Sequence, residues 1–242
     1  MAFKFPSLRD IPTFKWSDLT EKEEIGKGSF GAVFAAKYAS DGGSTVVIKK
    51  LLGVQEEDKR RFLKEAIILH GLKNKNIVGF KAFCDTPCSI MLEYLCFDFS
   101  PFQDGGHDKV NCLDDFLHYL DSENAVDEFP FHMKIASNIS LGVAYLHDRG
   151  LAHRDLKPAN ILVSNNHYSG LQDSDELQRI CMSEPIVCKL TDFGESRSEA
   201  TQTATMCNTA TNNVHRGSPV YMAPEIFSED ELATPATMDD LK

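Results

Sequence analysis

The sequence predicts an α+β fold in two lobes: a small lobe built on a β-sheet with one helix, and a larger lobe that is mainly helical. Short strand-like segments fill residues 23–95 and are interrupted by a single amphipathic helix. From about residue 113 the apolar residues recur at helical spacing. Because a run of strands followed by a run of helices is typical of α+β proteins, we place the boundary between the lobes near residue 96.

Turns and β-branched residues mark the strands of the first lobe. Segments 23–28 and 32–39 flank a glycine-rich turn, which predicts a hairpin. A second turn at 41–44 leads into the β-branched segment 45–51. Two further strands are expected before the lobe ends, over 77–83 and 89–95.

One helix is predicted in the first lobe and a long one in the second. Segment 55–72 begins with acidic residues, where the helix dipole favours negative charge, and its apolar stripe consists of Phe62, Ala66, Leu69 and Leu72. The long helix has apolar residues at intervals of three or four, namely Phe131, Ile135, Ile139, Val143 and Leu146. Three polar segments are predicted to be irregular, 97–111, 164–185 and 195–217.

The composition argues against several classes of function. The 242 residues include 25 Lys and Arg against 36 Asp and Glu, a net charge of −11, which disfavours nucleic-acid binding and a polybasic membrane-surface role. With 42% hydrophobic residues the chain is expected to be globular, and no apolar run reaches the ~20 residues that span a bilayer. The seven cysteines lack paired spacing, so we expect reduced thiols in a cytosolic or nuclear compartment, without zinc or disulfides.

A glycine-rich segment is the first candidate binding site. Residues 26–33 read Gly-Lys-Gly-Ser-Phe-Gly-Ala-Val, and glycines at these positions let backbone N–H groups approach phosphates. The segment lies between two strands and does not open a helix, which argues against a dinucleotide-binding site. Many hairpins carry glycines, so this motif alone leaves both phosphate binding and a plain turn open.

The following strand carries a lysine. In residues 46–49, Val-Val-Ile-Lys, alternation places Val47 and Lys49 on one face of the sheet and Val46 and Ile48 on the other. Lys49 could hold phosphates beneath an adenine ring, or it could be a solvated lysine at a sheet edge. The strand by itself favours the second interpretation.

The third motif contains the groups that phosphoryl transfer requires. Residues 153–160 read His-Arg-Asp-Leu-Lys-Pro-Ala-Asn. Asp155 offers a carboxylate that can accept a hydroxyl proton, Lys157 offers a cation for a phosphoryl group, and Asn160 offers an oxygen ligand for Mg²⁺. A further carboxylate follows in the Asp-Phe-Gly sequence that begins at Asp192, and Ala-Pro-Glu ends at Glu225.

In this order, the motifs resemble those of the eukaryotic protein kinases. The resemblance implies a bilobal kinase domain over 23–242, with a small antiparallel sheet lobe at about 23–95, a helical lobe at about 96–242 and an N-terminal extension over 1–22. It also implies a Ser/Thr protein kinase that uses Mg²⁺ and transfers the γ-phosphoryl group of ATP to protein hydroxyls in intracellular, cytoplasmic signalling.

The same resemblance implies a role for each motif residue. The residues expected to contact ATP are Gly26, Lys27, Gly28, Ser29, Phe30, Gly31, Val33, Val47, Lys49, Leu92, Glu93, Leu95 and Leu162. Among them, Leu92 would gate the adenine pocket, while Glu93 and Leu95 would lie in the hinge. Lys49 would bind the α- and β-phosphates and pair with a helix glutamate, for which Glu65 is the best candidate.

The transfer step would fall to four residues of the second lobe. The resemblance makes Asp155 the catalytic base and gives Lys157 the role of stabilising the γ-phosphoryl group. Asn160 and Asp192 would hold Mg²⁺. No other metal site is expected.

Further details suggest a subgroup and a means of regulation. Lys157 and Ser218 follow the pattern of Ser/Thr kinases, and the sequence that starts at Trp16 is similar to the tyrosine-kinase-like group. Arg154 resembles an arginine that pairs with a phosphorylated activation segment. Phosphorylation by an activating kinase or by the chain itself would then fall within 195–217, where the candidates are Thr201, Thr203, Thr205, Thr209 and Thr211; a plain polar loop is the alternative.

The sequence departs from the family pattern in three ways. Val47 replaces a usual alanine, and segments 97–111 and 164–185 are insertions, either neutral or docking surfaces. The chain stops 17 residues beyond Glu225, so we expect the last helices of the helical lobe to be missing. The expectation is a fragment, a truncated gene model or a splice form, with apolar surface on the 131–146 helix left uncovered.

Two other functions stay open at this stage. The chain could be a pseudokinase or scaffold that binds nucleotide or protein partners without phosphoryl transfer, or an inactive partial domain. Pseudokinases usually lack one of the residues that correspond to Lys49, Asp155 and Asp192, and this sequence has all three. The active kinase is therefore the preferred interpretation.

Overall fold

The computed structural model describes residues 6–27, 31–53, 55–102, 108–122, 129–198 and 218–222. These residues form two compact units. The smaller unit takes the described residues up to Lys73 together with Ile77–Tyr94. The larger unit takes Asn74–Asn76 and the described residues from Leu95 onward.

The smaller unit is an antiparallel five-stranded sheet with one helix, in the strand order β1-β2-β3-β5-β4. Its elements are β1 (Leu19–Lys27), β2 (Gly31–Tyr38), β3 (Ser44–Leu51), α1 (Glu56–Gly71), β4 (Phe80–Cys84) and β5 (Ser89–Glu93). The predicted sheet lobe with one helix is confirmed. The predicted start of β4 at residue 77 is wrong, because the N–H of Gly79 donates to Glu93 Oε1 at 2.6 Å instead of continuing the strand ladder.

Alternation along β3 separates a core face from a second face. Val46 and Ile48 are fully buried and pack into a cluster that also contains Phe14, Leu19, Ala36, Ala82, Cys84 and Met91. Val47 and Lys49 stand on the opposite face and are only partly buried. The side-chain period of two therefore leaves Lys49 available for a site on that face.

The segment ahead of β1 covers the outer edge of β4. Phe83 donates its N–H to the carbonyl of Pro12 at 2.8 Å, and Phe14 donates to the carbonyl of Phe83 at 3.0 Å. This short parallel pairing satisfies backbone groups that an open sheet edge would leave exposed. The buried side chains of Ile11 and Phe14 fix the segment on the sheet.

Helix α1 matches the predicted segment to within one residue at each end. Its first turn carries Glu56, Glu57 and Asp58, and it ends where the N–H of Leu72 bonds the carbonyl of Leu69. The buried face consists of Phe62, Glu65, Ala66, Ile68 and Leu69. A glutamate is therefore part of an otherwise apolar buried face.

The larger unit is mainly helical, with three pairs of short strands. Its helices are α2 (Leu113–Ser122), α3 (Phe129–His147) and α4 (Ser174–Ser183). The paired strands are β6 (Phe97–Asp98) with β7 (Lys109–Val110), β9 (Ile161–Ser164) with β10 (Val187–Leu190), and β8 (Leu151–Ala152) with β11 (Arg197–Ser198). None of the described helices has the length and apolar character needed to cross a membrane.

The prediction that 164–185 is irregular is wrong, because helix α4 lies inside it. The side chain of Asp173 accepts hydrogen bonds from the N–H groups of Asp175 and Glu176, at 2.9 and 3.0 Å. An aspartate followed by a glutamate three residues later is the spacing of a helix start. The polar composition concealed this capping signal.

The segments 97–111 and 164–185 are fixed to the same part of the larger unit. Buried Asn165 donates its Nδ2 to the carbonyl of Asp98 and accepts the Asp98 N–H, both at 2.8 Å. Tyr168 has no exposed surface and donates its hydroxyl to the carbonyl of Pro185 at 2.6 Å. The aromatic rings that pack together here are those of Phe97, Phe99, Phe102, Phe116, Tyr119, Phe131 and Tyr168. The start of each segment is thus built into the core, whereas helix α4 has no buried residue.

We predict that Tyr168→Phe lowers the free energy of unfolding by about 1–3 kcal/mol, because it leaves the buried carbonyl of Pro185 without its donor. Urea unfolding of the 242-residue chain would show a lower midpoint with an unchanged slope. Tyr221→Phe is the matched control, since Tyr221 is 56% exposed. Equal midpoints for the two variants would contradict the assigned role of the hydroxyl.

Candidate active site

The smaller unit contains a buried ion pair between β3 and α1. Lys49 Nζ lies 2.8 Å from Glu65 Oε1 and 2.9 Å from Oε2. The Glu65 side chain is 4% exposed, whereas that of Lys49 is 21% exposed. A buried carboxylate needs a partner, and the Lys49 ammonium provides it while the lysine side chain stays partly exposed. The pair therefore holds Lys49 in a defined position on the sheet.

Apolar side chains lie beside Lys49 on the same sheet face. Val33 of β2 and Ile90 of β5 are directly opposite Lys49 in the register, and Leu92 is opposite Val47. Cross-strand partners share a face, so these side chains make the sheet apolar next to one ammonium group. Ile90 and Leu92 are buried, and the accessible apolar surface comes from Val33 and Val47. Such a surface suits a flat apolar ring that carries negative charge at one end.

The end of β5 is held by an exchange of hydrogen bonds with Gly79. Glu93 donates its N–H to the carbonyl of Gly79 at 2.9 Å, while its carboxylate accepts the Gly79 N–H. Any side chain at position 79 would press against Glu93, since a Cβ there would lie 3.0 Å from Oε1. The sequence predicted only that Glu93 contributes to the hinge. It did not predict that the Glu93 carboxylate binds the N–H of Gly79.

In the larger unit, the chain between β8 and β9 places Asp155 at the centre of a hydrogen-bond network. Asp155 Oδ2 accepts from Asn160 Nδ2 at 2.8 Å and lies 2.9 Å from Lys157 Nζ. Asp155 Oδ1 accepts from the N–H and the Oγ of Ser218, at 2.9 and 3.0 Å. Lys157 also donates to Ser218 Oγ at 2.8 Å. One carboxylate thus organises three neighbouring side chains.

These contacts set the charge of the carboxylate. Partial burial of Asp155 would by itself raise its pKa, but the hydrogen bonds from Lys157, Ser218 and Asn160 outweigh burial, and the pKa is lowered from its usual value. Asp155 is therefore ionised throughout the neutral pH range. An ionised carboxylate can accept a proton.

His153 links this loop to the residues that follow β10. Its Nε2 is 2.9 Å from the carbonyl of Thr191, and its ring packs edge-on against Phe193. Burial lowers the pKa of His153, so the imidazole is neutral at pH 7. The sequence gave no sign of the contribution of Thr191, because that residue acts through its backbone.

Two residues of the site have a left-handed backbone. Arg154 has φ of 71° and Asp192 has φ of 63°, a region that costs a non-glycine residue of order 1–3 kcal/mol. Both are adjacent to the hydrogen-bonded network, where His153 and Thr191 meet. Strained residues of this kind concentrate at functional sites, where the surrounding contacts hold them.

Asn160 and Asp192 offer ligands of the kind that Mg²⁺ prefers. Asn160 is buried and directs its Nδ2 to Asp155, which leaves the amide oxygen as its metal-binding atom. Thr191 donates its N–H to the carbonyl of Asn160 at 3.1 Å, so Asp192 follows directly on a residue bonded to Asn160. An amide oxygen with a carboxylate fits a hard cation. Within the described ranges, no group of three or more His, Cys, Asp or Glu residues forms a metal site by itself.

Leu95 and Leu162, which the sequence predicts to contact ATP, are both contacted by the two residues that precede α2. Asn111 donates its Nδ2 to the carbonyl of Leu95 at 2.6 Å, and Cys112 is bridged to Leu162. Two consecutive residues, Asn111 and Cys112, thus connect Leu95 and Leu162. Asn111 was not singled out by the sequence, since nothing in its surroundings marks it.

Several predicted residues lie outside the described part of the chain. They are Gly28, Ser29 and Phe30 of the glycine-rich turn, the five candidate phosphorylation sites between 201 and 211, and the Ala-Pro-Glu sequence at 223–225. Gly26, Lys27 and Gly31 are described, at the facing ends of β1 and β2. At Gly31 a Cβ would lie 2.4 Å from the carbonyl oxygen of Lys50, so glycine is required there by packing against β3.

Comparison with known proteins gives a consistent result. The sequence pattern of the protein kinase domain matches residues 19–238. The chain is 31% identical over 227 residues to the serine/threonine-protein kinase CTR1 of Arabidopsis thaliana, which covers 91% of this chain and 22% of that protein. It is 27% identical over 240 residues to the mitogen-activated protein kinase kinase kinase zak-1 of Caenorhabditis elegans, which covers 94% of this chain and 26% of that protein.

A third relative is the probable serine/threonine-protein kinase roco5 of Dictyostelium discoideum, 28% identical over 232 residues, which covers 93% of this chain and 7% of that protein. The chain spans less than a third of the length of each of these three relatives. These proteins support a Ser/Thr-type kinase domain in general terms. Since the match to the kinase domain omits only the first 18 and the last four residues, the chain belongs to the protein kinase family.

Proposed function

We propose that this chain is a catalytically active Ser/Thr protein kinase domain, which transfers the γ-phosphoryl group of ATP to hydroxyl groups of protein substrates. The observation that carries the proposal is the ionised carboxylate of Asp155, held by Lys157, Asn160 and Ser218. A base, a cation and an oxygen ligand that meet in one loop are the minimum for phosphoryl transfer to a hydroxyl.

Nucleotide binding falls to the smaller unit in this proposal. Lys49, kept in place by Glu65, binds the α- and β-phosphates, and the apolar face formed by Val33, Val47 and Leu92 accepts the adenine ring. The other ATP contacts proposed for the smaller unit are Gly26, Lys27, Gly28, Ser29, Phe30, Gly31 and Glu93. Two more, Leu95 and Leu162, belong to the larger unit. Lys50, the next residue, faces the other side of the sheet, where its Nζ lies 5.2 Å from the centre of the Trp16 ring.

The transfer step falls to the larger unit. Asp155 accepts the proton of the substrate hydroxyl as its oxygen attacks the γ-phosphorus, and the bond from that phosphorus to the β-phosphate oxygen breaks. Lys157 neutralises charge on the phosphoryl group during transfer. Mg²⁺, held by Asn160 and Asp192, would neutralise phosphate charge when it is bound.

Specificity, regulation and setting complete the proposal. Lys157 and Ser218 support Ser/Thr specificity, and Trp16 supports membership of the tyrosine-kinase-like group. Phosphorylation within 195–217 would regulate the enzyme through Arg154, in cytoplasmic signalling. The proposed domain spans 23–242 with residues 1–22 as an extension, although the last four residues of that extension already form the start of β1.

We predict that Asp155→Asn lowers phosphoryl transfer to a protein substrate by about 10²- to 10⁴-fold, because the amide cannot accept the hydroxyl proton. The measurement is transfer of ³²P from ATP to a generic basic protein. Asp148→Asn is the matched control, since Asp148 is an exposed acid of the same unit. Near-normal transfer by Asp155→Asn would contradict the role of the base.

We predict that a nucleotide-binding assay distinguishes the role of Lys49 from that of Asp155, because only Lys49 is assigned to bind ATP. Mg²⁺-ATP at 100 times its dissociation constant should stabilise the wild-type chain and Asp155→Asn by about 2.7 kcal/mol in thermal unfolding. Lys49→Met should lose most of this stabilisation, because it removes the cation that meets the phosphates, whereas Lys50→Met should keep it. Full stabilisation of Lys49→Met would show that Lys49 is only structural, and a wild type that binds ATP but transfers no phosphate would favour the pseudokinase alternative.

A further inference from the structure

Two buried asparagines join three segments of the larger unit. Asn76 is 1% exposed and Asn138, on α3, is 3% exposed. Asn76 donates its Nδ2 to Asn138 Oδ1 at 2.5 Å and to the carbonyl of Cys188, on β10, at 3.0 Å. Asn138 Oδ1 also accepts the N–H of Cys188 at 3.3 Å. The pair therefore contacts both backbone groups of one residue in β10.

The contact extends along the strand. The carbonyl of Asn76 accepts the N–H of Leu190 at 2.9 Å. Gly142 of α3 makes room for this approach, because a Cβ at that position would lie 3.0 Å from the Asn76 carbonyl oxygen and 3.1 Å from a Leu190 methyl carbon. β10 pairs with β9 along one edge, and Asn76 with Asn138 holds it along the other.

The residues directly after β10 belong to the site. Thr191 donates its N–H to the carbonyl of Asn160 at 3.1 Å, and its carbonyl lies 2.9 Å from His153 Nε2. Asp192 comes next, with its left-handed backbone. A shift of β10 would move Thr191, and with it both of the residues assigned to Mg²⁺.

The asparagine pair is not arranged for stability alone. Asn76 Oδ1 is buried and has no hydrogen-bond partner among the described residues. A buried acceptor without a donor is unfavourable, and an apolar pair of similar shape would avoid that cost. What the two amides provide, and an apolar pair would not, is a fixed position for β10.

We propose that Asn76 and Asn138 are positioning residues for metal binding, which set Asp192 and Asn160 through β10 and Thr191. This inference rests on the proposed function, because the metal is part of that function. Both asparagines are buried, so the proposal assigns them no contact with substrate or cofactor. Their effect reaches the site through backbone hydrogen bonds.

The experiment measures Mn²⁺ binding in the presence of a saturating non-hydrolysable ATP analogue, by the relaxation of water protons. We expect Asn76→Ala and Asn138→Ala each to weaken Mn²⁺ binding by about tenfold, the lower end of the range for residues that orient metal ligands. The double variant should bind Mn²⁺ no more weakly than either single variant, because both asparagines act on the same strand, β10. Ser140→Ala, an exposed position on the same helix, should leave Mn²⁺ binding unchanged.

The outcomes are distinct. A lower melting temperature with Mn²⁺ affinity within about twofold of wild type would mean that the pair is only structural, and would overturn the inference. If Asn76→Ala does not fold, Asn76→Ser, which keeps a hydroxyl donor, decides by the same criterion. A wild-type chain that binds no Mn²⁺ with the nucleotide analogue would instead overturn the proposed function.

Discussion

The hydrogen bonds that converge on Asp155 are the interaction on which the organisation of the larger unit depends. Both carboxylate oxygens are engaged, one by Lys157 and Asn160 and the other by Ser218. Lys157 and Asn160 follow Asp155 by two and five residues, whereas Ser218 comes from a distant part of the chain. A single carboxylate thus determines where a cation and an amide stand, and these contacts keep its pKa low.

In the smaller unit, a buried ion pair fixes the position of a cation in the same way. Glu65 lies within the apolar face of α1, where an unpaired carboxylate would be strongly unfavourable. Lys49 neutralises it and so ties α1 to β3. Removing one partner of a buried ion pair costs far more folding free energy than removing one partner of an exposed pair. The position of the helix and the position of the ammonium group therefore depend on each other.

Segments 97–111 and 164–185, which the sequence predicts to be irregular, are attached to the core by a few buried polar residues. Asn165 bonds both backbone groups of Asp98, and Tyr168 fills a buried site among aromatic rings. Their polar sequences suggested loose surface connections. One buried asparagine and one buried tyrosine contribute to this attachment, because their side chains hydrogen-bond backbone groups of the two segments.

The sequence by itself determined the fold class, the face of β3 that carries Lys49 and the order of the chemical motifs. Periodicity and motif spacing are local properties, and a strand period of two fixes which side chains share a face. Tertiary structure alone decided which groups meet. Contacts such as Ser218 with Asp155 and Asn76 with Asn138 join residues far apart in the chain, and the backbone roles of Thr191 and Gly79 leave no mark on residue type. Helix α4 could have been predicted from the sequence, because Asp173 and Glu176 have the spacing of a helix N-terminus. The polar composition of the segment led to the prediction of an irregular loop instead.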